Sequence, residues 1–387
     1  MKYQLSNNTW DEKELAAIQR VIDSNMYSMG KEVLAFEKAF AVKIGVKYAV
    51  MSNSGSSANL LAIAALVYSG TLRPDDEVIV PAVSWSTTFF PLSQFNLKLR
   101  FVDINKHTLN IDIDQLEKAI TPLTKAVFAV NLLGNPNDYT RIQQICETNG
   151  LILIEDNCEA LGGSFKGQQL GTFGTMGTYS TFYSHHICTM EGGVTVTNDE
   201  ILYHHLLSIR AHGWTRNLPH DSLIYKKNED EFYESFNFIM PGFNVRPLEI
   251  EGAIGLEQLN KLDDIISQRR ANAEYFLEKV SSYNEFRPQV EIGTSSWFGF
   301  ALILEKGIGT SRKVIVKKLK ESGIEVRPIV AGNFTRNKAV SFLDYSIYGH
   351  LDHADDIHEN GLMVGNHSRS NIEEIDYLFN ILENELR

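Results

Sequence analysis

Residues 48–67 read YAVMSNSGSSANLLAIAALV and contain, in order, a strand pattern, a small polar turn and an apolar helix pattern. Tyr48–Ser52 has the β-branched and aromatic character of a strand, and Leu60–Leu66 continues as a helix. Free backbone N–H groups, the helix dipole and the hydroxyls of Ser56 and Ser57 can bind an anion at this helix start. The serines could instead only cap the helix.

Six further strand patterns alternate with amphipathic segments in the first half of the chain. They are Glu77–Pro81, Leu99–Ile104, Ala126–Leu132, Leu151–Glu155, Gly177–Phe182 and Val194–Thr197. Phe36, Phe40 and Ile44 repeat every four residues and predict a helix before the first strand. The alternation indicates an α/β fold with helices on both faces of a sheet. We expect a seven-stranded mixed sheet in a large domain of residues 1–247.

A second, smaller α+β domain is expected over residues 248–387. Helical spacing begins after Pro247 and continues to Tyr283, which predicts a long connecting helix. The elements predicted beyond it are strands at Trp297–Leu304 and Glu325–Ile329, and helices at Ser311–Ser322 and Ile372–Leu386.

Composition excludes several classes of protein. The 387 residues carry 36 Lys and Arg against 48 Asp and Glu, a net charge of −12, which argues against a nucleic-acid partner. The start, MKYQLSNNTW, does not read as a secretory signal, and no apolar run is long enough for a membrane span. Three cysteines without CxxC spacing argue against a disulfide framework, a zinc site or an iron–sulfur cluster. A reducing cytoplasm is the expected location.

Asp156 follows the strand Leu151–Glu155 directly. The carboxyl ends of strands in α/β sheets are where ligands bind, so this carboxylate is a candidate for contacting a cationic group. A helix cap or a salt bridge is the alternative.

The segment STFYSHHICTMEGG, residues 180–193, follows the sixth strand and contains the adjacent pair His185 and His186. Adjacent side chains point apart in an extended segment and no third ligand has suitable spacing, so we expect no metal. A single histidine acting as a base is better supported. The remaining histidines considered, expected on solvated faces, are His204, His205, His350, His353 and His358.

The motifs together resemble the DegT/StrS family of sugar aminotransferase-like, fold-type I pyridoxal-phosphate (PLP) enzymes, from about Trp10 to Leu378. The residues that carry the resemblance are Ser54-Gly55-Ser56-Ser57-Ala58, Glu155-Asp156, Ser180-Thr181-Phe182, Glu191-Gly192-Gly193 and Phe243-Asn244-Val245-Arg246. The resemblance implies a large PLP-binding domain, a small C-terminal domain and a homodimer with shared active sites.

The resemblance also implies how the cofactor is held. The phosphate ligands it implies are Gly55, Ser56, Ser180 and, from the partner subunit, Asn244. Trp85 would stack on the pyridine ring, although it could instead be a core residue, and Asp156 would pair with the ring nitrogen. Glu159 stands where family aminotransferases generally carry Gln, and an acid there could hydrogen-bond the ring oxygen; a surface carboxylate is the alternative.

One position departs from the aminotransferase pattern. Six residues before Glu191, where those enzymes carry the lysine that forms the Schiff base with PLP, this chain has His185, and it has no lysine between Lys166 and Lys226. Imidazole cannot form a stable aldimine, so the cofactor must be held by non-covalent contacts. The amino form, pyridoxamine phosphate (PMP), can then persist and condense with a keto sugar, while His185 moves protons and promotes loss of a hydroxyl.

Family members with this histidine exchange imply a substrate and a reaction. The implied reaction is removal of the C3 hydroxyl from GDP-4-keto-6-deoxy-D-mannose, a hydro-lyase step of colitose and O-antigen biosynthesis. L-Glutamate would regenerate PMP, with release of 2-oxoglutarate and ammonia. No iron–sulfur reductase is implied, because the CDP-sugar relatives that need one are longer and carry cluster cysteines. GDP and CDP cannot be distinguished from composition.

Substrate contacts are implied in three segments, each with a structural salt bridge or cap as the alternative. The residues are Met26, Tyr27, Ser28, His212, Arg216, Glu325 and Arg327. Two other functions stay open: an aminotransferase that uses a lysine outside the family position, and a catalytically inactive homologue that binds a nucleotide sugar.

Overall fold

Strands and helices alternate through most of the chain in a computed structural model that describes residues 2–386. The helices are α1 Glu12–Ser24, α2 Lys31–Ile44, α3 Gly55–Tyr68, α4 Ser86–Gln94, α5 Ile113–Ala119, α6 Tyr139–Asn149, α7 Glu200–Ile209, α8 Glu231–Glu234, α9 Glu249–Val280, α10 Arg312–Glu321, α11 Asp352–Asn360 and α12 Ile372–Leu386. The strands are β1 Tyr48–Ser52, β2 Glu77–Pro81, β3 Lys98–Val102, β4 Thr124–Val130, β5 Ile152–Asp156, β6 Ser164–Phe165, β7 Gln168–Gln169, β8 Met176–Ser180, β9 Gly193–Thr197, β10 Phe286–Pro288, β11 Gly299–Leu304, β12 Tyr345–Ile347 and β13 Gly361–Gly365. Short 3₁₀ turns cover Leu132–Gly134, Phe334–Arg336 and Lys338–Phe342.

The large sheet has the strand order β1-β9-β8-β5-β4-β2-β3-β12. Its first seven strands in this order are the seven that the sequence predicts, and only β9 runs antiparallel to its neighbours. This confirms the α/β class and the mixed sheet. The predicted strand count was low by one, because Tyr345–Ile347 adds an eighth, parallel strand beside β3. Such a short, partly exposed run has no recognisable hydrophobic pattern.

The C-terminal part contains a second, antiparallel sheet with the order β10-β11-β13. The predicted connecting helix is α9, a single helix of 32 residues. The strand predicted at Glu325–Ile329 was wrong, since this segment makes only isolated bridges, including Arg327 with Met363. The division into residues 1–247 and 248–387 stays a prediction. β12, which lies beyond that boundary, returns to the large sheet.

The sheet topology brings three chain segments to one edge. β1 and β8 are both antiparallel to β9, and β8 is parallel to β5, so β1, β5 and β8 all run in one direction. Their carboxyl ends therefore meet at the edge where α/β sheets bind ligands. These ends carry the Ser54–Ser56 turn, Asp156 and Ser180.

Burial of α3 makes this edge rigid. Its apolar side chains are inaccessible to solvent from Leu61 to Leu66 and pack against both the large sheet and α7. Each such leucine or isoleucine contributes about 1.5–3 kcal/mol to folding. The start of α3 is consequently held in place by the core. Among residues 2–386, no helix is long and apolar enough to cross a bilayer.

Candidate active site

A cavity of about 350 Å³ opens at the carboxyl ends of β1, β5 and β8. This volume lies within the range of ligand-binding pockets. The predicted site residues that line it are Gly55, Ser56, Trp85, Asp156, Glu159, Ser180 and His185. No lysine is among the lining residues that the structure describes.

The serine hydroxyls at the start of α3 have different roles: one caps the helix and another faces the cavity. The Ser54 hydroxyl caps the helix by accepting a hydrogen bond from the Ser57 N–H at 3.0 Å. The Ser57 hydroxyl donates to Asn53 Oδ1 at 2.7 Å, so the structure does not support its predicted contact with an anion. Ser56 does line the cavity, with its hydroxyl 3.1 Å from that of Thr87.

Gly55 allows β8 to pass very close to the start of α3. A Cβ atom at this position would lie 2.6 Å from the Ser180 Cβ and 3.1 Å from the Cys158 sulfur. A larger residue at position 55 fits only if α3, β8 or the segment with Cys158 moves. The backbone N–H groups at the helix start and the Ser180 hydroxyl therefore face the same small space, which suits a phosphate.

Asp156 lies at the floor of the cavity, with most of its acceptor capacity already used. Oδ2 accepts hydrogen bonds from Asn59 Nδ2 at 2.9 Å and from Thr88 Oγ1 at 2.8 Å. Oδ1 accepts one from the Cys158 N–H at 3.1 Å. A carboxylate has roughly four lone-pair sites, so about one is left for a ligand donor. Within residues 2–386 no Lys or Arg pairs with Asp156, which removes the salt-bridge alternative.

Glu159 also lines the cavity and is only partly exposed. Its Oε2 accepts a hydrogen bond from the Leu133 N–H at 2.9 Å. The pKa of Glu159 is raised to about 7, chiefly by burial and also by the charge of Asp156, with the Leu133 hydrogen bond opposing both. A substantial fraction of this carboxyl group is therefore protonated at neutral pH and can donate a hydrogen bond. The surface-carboxylate alternative does not hold.

His185 lies in the cavity wall between two phenylalanine rings. The ring centroids are 5.1 Å apart for His185 and Phe298, and 6.0 Å apart for Phe182 and His185. Its Nδ1 has no hydrogen-bond partner among the described residues. Burial and, to a smaller extent, the positive charge of Arg269 together lower the pKa of His185 to about 4. The imidazole is therefore neutral and able to accept a proton.

His186 points away from the cavity and is completely buried. Its Nε2 lies 3.2 Å from the carbonyl oxygen of Ser296, so it fixes the loop against the C-terminal part of the chain. Within residues 2–386 no three His, Cys, Asp or Glu side chains are grouped to hold a metal ion. The prediction that the other histidines are solvated was wrong for His204 and His205, which are buried in α7.

Trp85 precedes α4 and is 58% exposed at the mouth of the cavity. The core alternative is therefore wrong. Its indole is free to cover a flat ligand ring, since such rings gain from stacking on an aromatic face.

The residues predicted to contact substrate lie outside this cavity. Met26 and Tyr27 are 60% and 53% exposed, and Ser28 forms a backbone bridge with Leu248. The Tyr27 carbonyl accepts a hydrogen bond from the Glu249 N–H at 3.0 Å, which fixes the loop beside the start of α9.

The other predicted substrate and phosphate ligands form two groups. Exposed Asn244 pairs through its backbone with Ala211, beside exposed His212. The guanidinium of Arg216 lies 5.2 Å from the centre of the Trp214 ring. In the C-terminal part, Glu325 accepts a hydrogen bond from the Leu5 N–H at 3.1 Å and Arg327 is exposed. None of these side chains lines the cavity of its own chain.

Sequence reasoning missed three residues that shape the site. Asn59 and Thr88 fix the Asp156 carboxylate, and Phe298 packs against His185. Asn59 could have been found, because it is a strongly polar residue at the start of an otherwise apolar helix. Phe298 could not, since it comes from a distant part of the chain.

Comparison with known proteins agrees with this geometry. The model of the DegT/DnrJ/EryC1/StrS aminotransferase family matches residues 8–383. The chain is 57% identical over 387 residues to GDP-4-keto-6-deoxy-D-mannose 3-dehydratase of Yersinia pseudotuberculosis, covering 99% of this chain and 98% of that protein.

Two solved structures are similarly related. The E. coli GDP-4-keto-6-deoxy-D-mannose-3-dehydratase with bound hydrated PLP has a TM-score of 0.97 and 53% identity, covering 99% of both chains. A structure of GDP-4-keto-6-deoxymannose-3-dehydratase with a trapped PLP-glutamate geminal diamine also has a TM-score of 0.97 and 53% identity, covering 98% of this chain and all of that one. The chain therefore belongs to the DegT/DnrJ/EryC1/StrS aminotransferase family, as its motifs predicted.

Proposed function

We propose that the chain is a PLP/PMP-dependent hydro-lyase that removes the C3 hydroxyl of GDP-4-keto-6-deoxy-D-mannose. L-Glutamate regenerates PMP, and 2-oxoglutarate and ammonia are released, as part of colitose and O-antigen biosynthesis. The observation that carries the proposal is the imidazole of His185 at the family's lysine position, in a cavity whose described lining contains no lysine. All three relatives named above are 3-dehydratases of this sugar nucleotide by name, two of them in structures with PLP or a PLP-glutamate adduct, and each covers at least 98% of this chain.

The residues of the cavity fit the cofactor. Gly55, Ser56 and Ser180 line the cavity at the start of α3, where free backbone N–H groups suit a phosphate, and the missing side chain of Gly55 lets Ser180 approach this helix start. The free acceptor site of Asp156 suits a pyridinium N–H, and exposed Trp85 can cover the ring. In this proposal Gly55, Ser56 and Ser180 hold the phosphate, and Glu159 donates to the ring oxygen.

When bound, the cofactor supplies an exchangeable amino group and a ring that withdraws electrons from the carbon losing a proton. The ionised carboxylate of Asp156 favours the protonated ring nitrogen, because opposite charges stabilise each other in a buried site. Asn59 and Thr88 hold that carboxylate in one orientation. The ring is thereby kept in its more electron-withdrawing form.

His185 performs the proton transfers. A base must be unprotonated before it acts, and the lowered pKa of His185 meets this requirement across the neutral range. The same lowered pKa makes its imidazolium a strong acid, which readily passes the proton to a departing C3 hydroxyl. Phe182 and Phe298 on either side limit access of water to the imidazole.

We propose in addition that two chains form a homodimer with shared active sites. The observation that supports this is the position of Asn244, a predicted phosphate ligand that is exposed and does not line the cavity of its own chain. Met26, Tyr27 and Leu248 are exposed apolar residues, and the backbone bridge between Ser28 and Leu248 brings their two segments together. In the dimer, Asn244 of one chain would reach the cofactor of the other, and Met26, Tyr27, Ser28, His212, Arg216, Glu325 and Arg327 would contact substrate.

The thiols support a proposal for the cellular location. All three cysteines, Cys146, Cys158 and Cys188, are free, and burial raises the pKa of the Cys146 and Cys158 thiols. Three unpaired thiols suit a reducing compartment. We therefore propose that the enzyme works in the cytoplasm.

The proposed reaction is tested by incubation of the chain with GDP-4-keto-6-deoxy-D-mannose, PLP and L-glutamate. We expect ammonia, 2-oxoglutarate and a 3-deoxy sugar in equal amounts, and none of them with His185→Asn. Formation of a 4-amino sugar without ammonia would instead identify an aminotransferase. A His185→Asn variant as active as the native chain would contradict the role of His185.

A further inference from the structure

A cluster behind His185 contains a cation that the reaction described above does not use. Arg269, in the middle of α9, is 2% exposed and forms no ion pair with any carboxylate in residues 2–386. A buried charge without a partner is costly, because desolvation is not offset by an opposite charge. Burial also lowers the pKa of Arg269, to about 10. The energetic cost of burying Arg269 without a carboxylate suggests that this charge has a function.

Backbone carbonyl groups hold one end of the guanidinium instead, while its buried Nε has no hydrogen-bond partner among the described residues. Arg269 Nη1 donates to the carbonyl oxygen of Phe298 at 3.0 Å and to that of Trp297 at 3.4 Å. Trp297 has a left-handed backbone with φ of 48°, which is unfavourable for a bulky residue. The segment is therefore held in a strained conformation that the Arg269 hydrogen bonds help to maintain.

The same segment is tied to the active site on its other side. The Phe298 N–H donates to the Leu133 carbonyl at 2.9 Å, and the Leu133 N–H donates to Glu159 at 2.9 Å. The Phe298 ring packs on His185. Hydrogen bonds thus connect Arg269 through Phe298 and Leu133 with Glu159. His185 packs against Phe298 in the middle of this series.

We propose that Arg269 is a positioning residue for His185: it fixes segment 296–298, whose Phe298 ring seats the imidazole, and places an unneutralised positive charge behind it. The inference rests on the proposed role of His185 as the base. The positive charge of Arg269 disfavours protonation of the His185 imidazole. The hydrogen bonds of Arg269 fix segment 296–298, and the Phe298 ring of this segment fixes the orientation of the imidazole.

Other charged groups also face this imidazole and must be considered. Asp156, Glu159 and Glu191 line the same cavity, and each favours protonation of His185 when it is ionised, as Glu159 is above its pKa of about 7. Buried His186 is the neighbouring titratable group on the same loop, and its pKa is lowered well below its usual value by burial and by Arg269. Arg269 is therefore the cation that opposes the three cavity carboxyl groups.

The test measures the titration of His185 by NMR of histidine-labelled full-length chain, with and without PLP, using His185→Asn to assign the signal. In the native chain the pKa must lie below 6.5, the usual value. In Arg269→Met or Arg269→Gln we expect it to rise by about one unit. Arg269→Lys, which keeps the charge, should leave it low.

Arg270→Met is the matched control. Arg270 is the next residue of α9 and bonds to the nearby Ser295 carbonyl, but it is paired with Glu291. This control should leave the His185 pKa unchanged. Two results would overturn the charge effect. One is a normal His185 pKa in the native chain. The other is an unchanged His185 pKa in a folded Arg269→Met or Arg269→Gln variant.

Activity provides the second readout. Phe298→Leu keeps the charge and removes the ring contact, so we expect kcat to fall at least threefold with no change in the His185 pKa. An unchanged kcat would overturn the positioning effect. Because the NMR titration needs no substrate, a wrong assignment of the reaction would appear only in the kcat measurement and leave the titration result intact.

Discussion

Gly55 is the residue at which the proposed phosphate site tolerates the least change. In Gly55→Ala the new methyl group would lie 2.6 Å from the Ser180 Cβ, so α3 and β8 must separate. We expect PLP affinity to fall at least tenfold, about 1.4 kcal/mol, and the free energy of unfolding to fall by about 1–3 kcal/mol. Absorbance titration and thermal unfolding measure the two effects.

The control for this substitution is Gly309→Ala, where an added Cβ meets nothing within 4 Å and the backbone is not left-handed. Its PLP affinity and stability should match those of the native chain. Native PLP affinity in Gly55→Ala would show that the phosphate binds elsewhere.

Glu159 predicts a dependence on pH. Its pKa is raised to about 7, so the carboxyl group is protonated below this pH and loses its proton, and its ability to donate, as the pH rises through it. We expect PLP affinity to fall between about pH 6 and pH 8. Glu159→Gln keeps a donor at every pH, so this variant should lack the fall. An identical pH profile in both proteins would assign the titration to another group.

The sequence predicts the positions of the site residues better than the directions of their side chains. The Ser54–Ser56 turn, Asp156 and His185 could be located because each comes within a few residues of the end of a strand pattern. The direction of a side chain could not be read in the same way: Ser57 and Ser56 are neighbours of one type, yet Ser57 turns to Asn53 and Ser56 to the cavity. Hydrogen-bond competition within the turn decides this.

At the scale of elements, α9 positions the loop that carries Met26 and Tyr27. The N-cap residue of α2, Gly30, has no side chain to cap the helix. Glu249 of α9 replaces it, accepting hydrogen bonds from the Gly30 N–H at 2.6 Å and the Glu32 N–H at 2.7 Å. A charged group at a helix start also complements the helix dipole.

Removal of this cap should therefore loosen the loop. For Glu249→Ala we expect the free energy of unfolding to fall by about 1–3 kcal/mol and KM for the sugar nucleotide to rise several-fold. Chemical denaturation and steady-state kinetics measure these. Glu274→Ala, an exposed glutamate of the same helix, is the control and should change neither. A Glu249→Ala variant with native KM would separate the loop from substrate binding.

Elements with strong periodicity were predictable, and those created by tertiary contact were not. The seven long-patterned strands and α9 follow from local sequence, since each buries an apolar face. β12 exists only because β3 offers a free edge, and Glu325–Ile329 is β-rich in sequence yet meets β13 only at the single bridge between Arg327 and Met363. His204 and His205 are buried because α7 packs against both α3 and the sheet, which leaves little of the helix exposed.

The whole molecule has a net charge of −12, which repels an anionic cofactor and a nucleotide diphosphate. Their binding therefore depends on cationic or N–H groups placed close to the site. The cavity of one chain contains three carboxyl groups and no Lys or Arg among its described lining. Cations must therefore come from outside this lining, and in the proposed dimer the exposed Arg216, on the segment whose Ala211 pairs with Asn244, is a suitable source. The charge balance by itself favours a shared site.

Shared sites make a quantitative prediction for mixed dimers. His185→Asn removes the base of a chain's own cavity, whereas Asn244→Ala removes the group that the chain lends to its partner, so each homodimer should be nearly inactive. A heterodimer with one chain of each kind, purified through two different affinity tags, contains one intact site and one doubly defective site. We expect it to regain about half the native activity per dimer. Activity no higher than that of either homodimer, in a sample that size-exclusion chromatography shows to be dimeric, would mean that each site is built from one chain. A monomeric native protein would contradict the shared site directly.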